Sequence, residues 1–259
     1  MLCDSQLAYP MQVHLLRGNH EVLEVNARMY DFLAHCKARL GPRDGKAVHA
    51  ALNDVFDMMP LAAVAETPPP LLPPGVAEAP PTRVFCVHGG VGRLMFIDDL
   101  DALERPLALN IEPSELEGPA LAARLLADDA LWSDPAARDD DAELEAAGGS
   151  EDNARGAGAR FGPGVVRAFC VRNGVAAVVR AHQVPRAGIE PFAGGLGVTV
   201  FSAADYPHTA AECERDGNAA ALLWMGRDGR LYPRVLLPPP LPPPPPRAPQ
   251  SPEEREFSD

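Results

Sequence analysis

The chain has 259 residues, a formal net charge of −13 and a sequence pI near 4.9. This length allows one domain with a sizeable core, and the acidic balance argues against binding to nucleic acid or to an anionic membrane surface. The five cysteines are odd in number and widely spaced, and no apolar run reaches the ~20 residues of a membrane span. We therefore expect reduced thiols and a cytoplasmic or nuclear protein.

The N-terminal part of the chain predicts a strand and two helices. A short buried strand is expected over 13–16, and it leads directly into the polar loop Arg17-Gly18-Asn19-His20-Glu21. One amphipathic helix that stops at Gly41-Pro42 is predicted by the helical spacing of Val25, Met29, Phe32, Leu33, Cys36 and Leu40. A second helix is expected over 46–59, with an apolar side formed by Ala51, Leu52, Val55 and Met59.

Proline and acidic residues mark the next segments. Residues 66–82 are proline-rich and predict an exposed insertion loop, because proline neither donates to a sheet nor continues a helix. The β-rich run 83–87 predicts a strand that ends at His88-Gly89-Gly90. Residues 134–152 are acidic and rich in small residues, which predicts a solvated, flexible spacer.

The C-terminal part predicts a helix followed by strands. The helix begins at Pro163, stops at Gly174 and turns Val165, Val166, Phe169 and Cys170 inward. Strands are expected over 175–179, 198–201, 220–225 and 231–236, with the last two joined as a hairpin through 226–229. Mixed α/β layering in one domain over 1–237 follows, and the polyproline segment 238–259 predicts a disordered or polyproline II tail.

Four polar side chains each follow a short apolar strand. They are Asn19, His20, His88 and His182, and each lies in a tight or glycine-rich context. A single histidine beside a strand is more often a hydrogen-bonded structural residue than a ligand. Strand ends on one side of a sheet converge, however, and two imidazoles that meet one amide oxygen predict a divalent-metal site.

The motifs around these residues resemble the PPP-type protein serine/threonine phosphatases. The matching stretches, in family order, are LLRGNHE at 15–21, VHGG at 87–90, LWSDP at 131–135, NARG at 153–156, RAHQ at 180–183 and VFSAADY at 200–206. The stretches GPRDG at 41–45, HGGVGR at 88–93 and DNARGAG at 152–158 are most similar to the kelch-repeat phosphatases. The resemblance covers about 9–238 and implies an α/β, metallophosphoesterase-like mixed β-sandwich flanked by helices.

The resemblance also implies a role for each matched residue. Asn19, His88 and His182 would bind the second of two divalent cations, which would be manganese, iron or zinc. His20 would protonate the departing serine or threonine oxygen, while Arg155 and Tyr206 would bind the phosphate. Arg17 and Arg180 are more often framework ion-pair residues than substrate contacts in such positions.

The chain departs from the family pattern in ways that affect this expectation. The GDxHG and GDxxDRG motifs, which the family has upstream of the first strand, are absent from the printed sequence. We therefore expect a domain whose first strands are missing, at most one weak metal site and impaired activity. Asp205 and Pro207 also stand where the family usually has Asn and Cys.

Two functions remain open on the sequence alone. The first is a hydrolase that removes phosphate from phosphoserine and phosphothreonine on proteins, for which this chain is a partial sequence. The second is a non-catalytic pseudophosphatase or scaffold that binds phosphoproteins. Regulatory proteins are possible partners, and the run Pro242–Pro246 suits an SH3 or WW-type groove, although such runs are also common in solvated tails.

Overall fold

The computed structural model describes residues 2–68, 80–206 and 217–237. Most of the proline-rich insertion, Pro207, Cys213 and the proline-rich tail lie outside the described residues. The helices are α1 Leu2–Ala8, α2 Leu23–Arg28, α3 Phe32–Leu40, α4 Pro42–Met58, α5 Ile97–Asp101, α6 Gly118–Trp132, α7 Ala142–Ala146 and α8 Pro163–Asn173. The strands are β1 Ala62–Glu66, β2 Arg83–Val87, β3 Asp134–Pro135, β4 Ser150–Asp152, β5 Ala159–Phe161, β6 Ala177–Arg180, β7 Ile189–Phe192, β8 Gly197–Val200, β9 Ala220–Met225 and β10 Leu231–Leu236.

A five-stranded mixed sheet organises the molecule. Its strand order is β1-β2-β6-β8-β7, in which β2, β6 and β8 run parallel and the two outer strands run antiparallel to their neighbours. Val87 at the end of β2 pairs with Arg180 at the end of β6. The loops that follow these two strands therefore leave the sheet at the same edge, as the sequence predicted.

The core lies between this sheet and α8. Phe85 of β2 and Phe169 of α8 are fully buried, and their ring centroids lie 4.9 Å apart. The predicted inner face of α8 is confirmed, since all four of its expected members are buried. Gly174 ends the helix in the left-handed conformation with φ 61°, which costs glycine little because it has no Cβ.

The strands predicted after the proline-rich insertion are confirmed, with small differences at their ends. The predicted bounds of β2, β9 and β10 agree with the structure, and β6 and β8 lie within one or two residues of the expected ranges. The hairpin is closed by a hydrogen bond from the amide of Gly226 to the carbonyl of Arg230, at 2.9 Å. β9 and β10 form a separate two-stranded sheet.

Two predictions for the N-terminal part are wrong. Residues 13–16 form no strand in the structure, because a strand requires a ladder of hydrogen bonds with a neighbouring strand. The next residue, Arg17, donates its amide to the carbonyl of Pro60, just before β1, at 2.8 Å. The single helix predicted over 25–40 is two helices. Asp31, with φ 50°, takes the left-handed conformation and interrupts the helical hydrogen-bond ladder between α2 and α3.

The second predicted helix exists, but its start and its inner face differ. α4 begins at Pro42, because proline suits the first helical turn, where its missing amide hydrogen is not needed. Val55, expected to face inward, is 48% exposed. The buried residues are Gly45, His49 and Asn53 instead, because α3 passes so close that a Cβ on Gly45 would lie 2.5 Å from the backbone of Lys37.

The acidic segment 134–152 is not the flexible spacer that its composition predicted. It contains β3, α7 and β4, and Leu144 of α7 is fully buried. Asp141 caps α7 through the Leu144 amide, and the Asp139 carboxylate accepts hydrogen bonds from the amides of Ala193 and Gly194, at 2.8 and 2.6 Å. Because backbone donors compensate these carboxylates, a segment of disorder-like composition takes up defined structure.

The described ends of the proline-rich insertion are tied together. The Thr67 amide donates to the Thr82 carbonyl at 3.0 Å, and the Thr82 amide donates to the Thr67 hydroxyl at 2.9 Å. The four cysteines in the described part, Cys3, Cys36, Cys86 and Cys170, are free thiols. Across 2–68, 80–206 and 217–237, no helix combines the length and the apolar character needed to cross a bilayer.

Candidate metal and phosphate site

Three of the residues predicted as ligands meet at one point. The Nε2 atom of His88 lies 2.8 Å from Oδ1 of Asn19 and 3.1 Å from Nδ1 of His182. The first pair is 69 residues apart in the sequence and the second is 94 residues apart. The convergence that the strand-end argument predicted is therefore present, even though the strand before Asn19 is not.

The local fold holds each of the three side chains at the sheet edge. His88 follows β2 directly, and His182 follows β6 after one intervening residue. Asn19 lies in a short 3-10 turn over Asn19–Glu21, where the Gly18 amide donates to the Glu21 carboxylate at 2.9 Å. Arg17 fixes the start of this turn through Asp57, at 2.7 Å, and through the carbonyl of Leu107, so it takes the framework position that the sequence suggested.

The spacing and chemistry of these three atoms fit a divalent cation. Two ligands about 2.1 Å from a metal ion and at right angles to each other are about 3.0 Å apart, close to both distances around His88. His182 also has φ 63°, an uncommon conformation that tends to occur at functional sites. Its Nε2 atom is buried and has no hydrogen-bond partner among the described residues.

Both imidazoles are electrically neutral at pH 7. The pKa of His88 is lowered to about 3, first by burial and then by the nearby His182, Arg180, His20 and Arg155. The pKa of His182 is also lowered to about 3, by burial and by the charges of Arg155 and Arg180. A neutral imidazole is the form that binds a metal ion, so the protein environment preserves the ligand state.

The site offers a cation little negative charge. Within the described ranges, no group of three or more His, Cys, Asp and Glu side chains is arranged to hold a metal ion. The acidic residue next to the site is Asp134, and both of its oxygens are engaged by arginines. The three ligands are thus two imidazoles and an amide, without a carboxylate among them.

Asp134 connects the two arginines beside the site. Its Oδ2 atom accepts from Nε of Arg155 at 2.6 Å, and its Oδ1 atom accepts from the guanidinium of Arg180 at 2.9 Å. The side chain of Arg180 is fully buried and also donates to the carbonyls of Gly89 and Ser133. Arg180 therefore belongs to the framework, as expected, while Arg155 remains 39% exposed at the site.

His20 and Tyr206 lie around the same site. The ring of His20 stacks on Tyr30 with centroids 3.8 Å apart, and burial lowers the pKa of His20 against the opposing effect of Glu21. The ring of Tyr206 packs edge-on against Phe201 at 5.2 Å. Burial raises the pKa of Tyr30, Tyr206 raises it further and Arg155 lowers it, so Tyr30, Tyr206 and Arg155 interact electrostatically.

Several residues of the site were not singled out from the sequence. Asp134 stood in the LWSDP motif without a role, and Trp132 of the same motif packs edge-on against the His182 ring at 5.7 Å. No sequence feature marked Tyr30 as a site residue, because its contact with His20 depends on the break between α2 and α3. Position 89 requires glycine because the end of α6 lies very close to it. A Cβ there would lie 2.5 Å from the backbone atoms of Leu131 and Trp132.

Comparison with known proteins supports this reading of the fold. Serine/threonine-protein phosphatase BSL2 of Arabidopsis thaliana is 34% identical over 263 residues, which cover 100% of this chain and 22% of that protein. Serine/threonine-protein phosphatase C23G10.1 of Caenorhabditis elegans is 33% identical over 220 residues, which cover 83% of this chain and 40% of that protein. The chain thus spans less than half the length of both curated relatives.

A solved structure and a family model complete the comparison. A protein serine/threonine phosphatase from Saccharomyces cerevisiae, described as similar to human phosphatase PP5, matches with a TM-score of 0.65 and 21% identity, over 93% of this chain and 65% of that one. This likeness confirms the mixed α/β metallophosphoesterase fold. The family model described as "Calcineurin-like phosphoesterase" matches residues 2–186. The chain therefore belongs to the calcineurin-like phosphoesterase family.

Proposed function

We propose that this chain serves the metal-dependent hydrolysis of phosphoserine and phosphothreonine on proteins. The observation that carries this proposal is the meeting of Asn19, His88 and His182 around one point beside Arg155. The family implies divalent metal ions in general, and both curated relatives are named serine/threonine-protein phosphatases.

The three ligands would hold one cation, for which manganese, iron and zinc suit a mixed nitrogen and oxygen set. When bound, such an ion polarises a phosphoryl oxygen and lowers the pKa of water. The contribution of the chain is to keep His88 and His182 neutral and to fix their rings at the sheet edge. The positive φ of His182 and the turn at Asn19 direct the donor atoms of these residues to one point.

The remaining residues would bind the phosphate and move a proton. Asp134 holds Nε of Arg155, which fixes the plane of the guanidinium and turns it into a preorganised phosphate contact. The Tyr206 hydroxyl would line the phosphate pocket. His20 is uncharged before substrate binds because its pKa is lowered by burial. A bound phosphate dianion would raise that pKa and allow His20 to donate a proton to the departing oxygen.

The lack of a carboxylate ligand has a measurable consequence. A dication held by neutral ligands keeps its full charge, so it should bind weakly by itself and more tightly when a phosphate anion lies beside it. Because such coupling is reciprocal, Mn²⁺ should strengthen phosphate binding by the same factor. We expect a coupling of about tenfold, within the usual range for linked ligands.

Calorimetric titration of Mn²⁺ with and without inorganic phosphate tests the proposal. Arg155→Ala should abolish the coupling, because the guanidinium that holds the anion is lost. Arg138→Ala is the matched control, since Arg138 is 75% exposed and pairs with Asp140 at the surface. Equal Mn²⁺ affinities with and without phosphate in the unmodified protein would contradict the proposal.

A second candidate is a non-catalytic module that binds phosphoproteins. It is favoured by the absence, among the described residues, of a carboxylate cluster for a second cation. We expect this chain alone to hydrolyse p-nitrophenyl phosphate with Mn²⁺ at the background rate. Robust turnover that His88→Ala abolishes would refute that expectation and favour catalysis. Regulatory proteins and an SH3 or WW-type reader of Pro242–Pro246 remain proposed partners in either case.

A further inference from the structure

A cavity opens directly beside His20, on the side of the helices α2, α3 and α4. Its volume is about 540 Å³, which is within the range of small-ligand sites. Much of its wall comes from ring, thiol and aliphatic groups. These belong to His20, Tyr30, Phe32, Cys36, Leu40 and Phe56.

His35 and Arg39 also line the cavity, while two further polar residues of its wall, Asn26 and Glu21, are engaged elsewhere. Oδ1 of Asn26 accepts from Nε2 of His49 at 2.8 Å, and Nδ2 of Asn26 donates to Oδ1 of Asn53 at 2.9 Å. Glu21 accepts from the amide of Gly18. Since Asn26 and Glu21 already have partners within the protein, they add little hydrogen-bonding capacity to the cavity. The exposed wall is mainly apolar, which suits an apolar guest.

Tyr30 joins this cavity to the phosphate site. Its ring lines the cavity and stacks on His20 at 3.8 Å, while its pKa responds to both Tyr206 and Arg155. If the phosphate of a substrate phosphoserine or phosphothreonine lies at Arg155, the neighbouring residues of the substrate would therefore lie close to the cavity mouth. Consecutive Cα atoms are about 3.8 Å apart, so side chains one or two residues away can reach past one aromatic ring.

We infer that the cavity binds a large apolar side chain of a phosphoprotein substrate, within two residues of the phosphorylated serine or threonine. The inference rests on the proposed function and adds a sequence preference to it. Because His20 and Tyr30 belong both to the cavity wall and to the surroundings of the phosphate site, a substrate segment suits the cavity better than an unrelated small molecule. The preference selects leucine or phenylalanine near the phosphoresidue over small or charged side chains.

Binding of short phosphopeptides tests the inference on the unmodified protein. The peptides contain one phosphothreonine in an alanine background, with a single phenylalanine placed at −2, −1, +1 or +2. Fluorescence anisotropy in the presence of Mn²⁺ should show that phenylalanine at one of these positions tightens binding about tenfold or more relative to alanine, because a phenyl ring leaves water. At that position, affinity should rise in the order alanine, valine, leucine, phenylalanine.

A pair of surface variants locates the effect. Leu40→Glu places a charge at the cavity wall and should remove most of the gain from phenylalanine, while the affinity for inorganic phosphate stays unchanged. Leu125→Glu on α6 is the matched control, since Leu40 and Leu125 are 49% and 52% exposed. If both variants reduce the gain equally, the apolar side chain binds elsewhere and the inference is wrong.

The outcomes separate this inference from the proposed function. If every phosphopeptide binds alike, and Arg155→Ala still weakens them all, the cavity plays no part in recognition but the phosphate site stands. If neither inorganic phosphate nor any phosphopeptide binds, the proposed function fails, and the inference fails with it. A preference for phenylalanine that also occurs in the unphosphorylated peptides would overturn the inferred link between the cavity and the phosphate.

Discussion

Removal of the Asp134 carboxylate should strongly destabilise the protein. Asp134 neutralises the side chain of Arg180, which is fully buried. The Asp134 side chain itself is only 10% exposed. Burial lowers the pKa of Arg180 to about 10, and the charge of Asp134 and its hydrogen bond oppose that shift. Asp134→Ala would leave this guanidinium charge buried without its counterion, which typically costs about 3–5 kcal/mol.

An exposed ion pair in the same chain provides the control. Arg138 and Asp140 lie 2.8 Å apart, nearly the same distance as the buried pair, but their side chains are 75% and 72% exposed. Asp140→Ala should cost far less than Asp134→Ala, because water solvates the arginine that remains. Urea unfolding, followed by far-ultraviolet circular dichroism, measures both free energies of unfolding. Equal losses for the two variants would refute the reasoning about burial.

Two further predictions concern the framework of the site. Burial raises the pKa of Asp129 to about 6, so the native state retains a proton that the unfolded state releases, and the unfolding free energy should fall by up to about 3 kcal/mol as pH rises from about 4 to 6. Asp129→Asn should remove this fall in a series of urea titrations across that range, and an unchanged pH profile would exclude Asp129 as its source. Leu144→Ala should lower the unfolding free energy by about 2–5 kcal/mol if α7 is packed into the core. A loss below about 0.5 kcal/mol would restore the flexible-spacer interpretation of 134–152.

The parts of the fold that the sequence predicted are those with strong local signals. Gly174 after an apolar helix and Gly226-Arg227-Asp228-Gly229 between two β-rich runs are governed by turn and capping preferences that act within a few residues. The meeting of His88 and His182 could also be predicted. Both follow strands that pair in parallel, and parallel strands bring their ends to one edge.

The parts that the sequence did not predict depend on distant contacts. Helical spacing across 25–40 does not reveal the left-handed residue Asp31, which separates two helices that each keep the same period. The inner face of α4 is polar because Asn26 of another helix supplies partners for His49 and Asn53. An apolar pattern cannot show such a pairing.

The same distinction applies to the acidic segment and to the site. Leu144 is one apolar residue in a run of charges, and only the partners of Asp139 and Asp141 show why the segment is ordered. Asp134 occupied a recognised motif, but its two arginine partners come from 21 and 46 residues away. Its function as their shared counterion therefore becomes visible only in the folded chain.

Direct measurement of Mn²⁺ binding tests the central claim, that Asn19, His88 and His182 together hold one divalent cation. Electron paramagnetic resonance detects free Mn²⁺, so a titration gives both the stoichiometry and the affinity without any need for turnover. We predict a single site that Asn19→Ala, His88→Ala and His182→Ala each weaken at least about tenfold, in line with the loss of one ligand. His14→Ala, at an exposed position, should leave it unchanged. Unaltered binding in all three ligand variants would contradict the account.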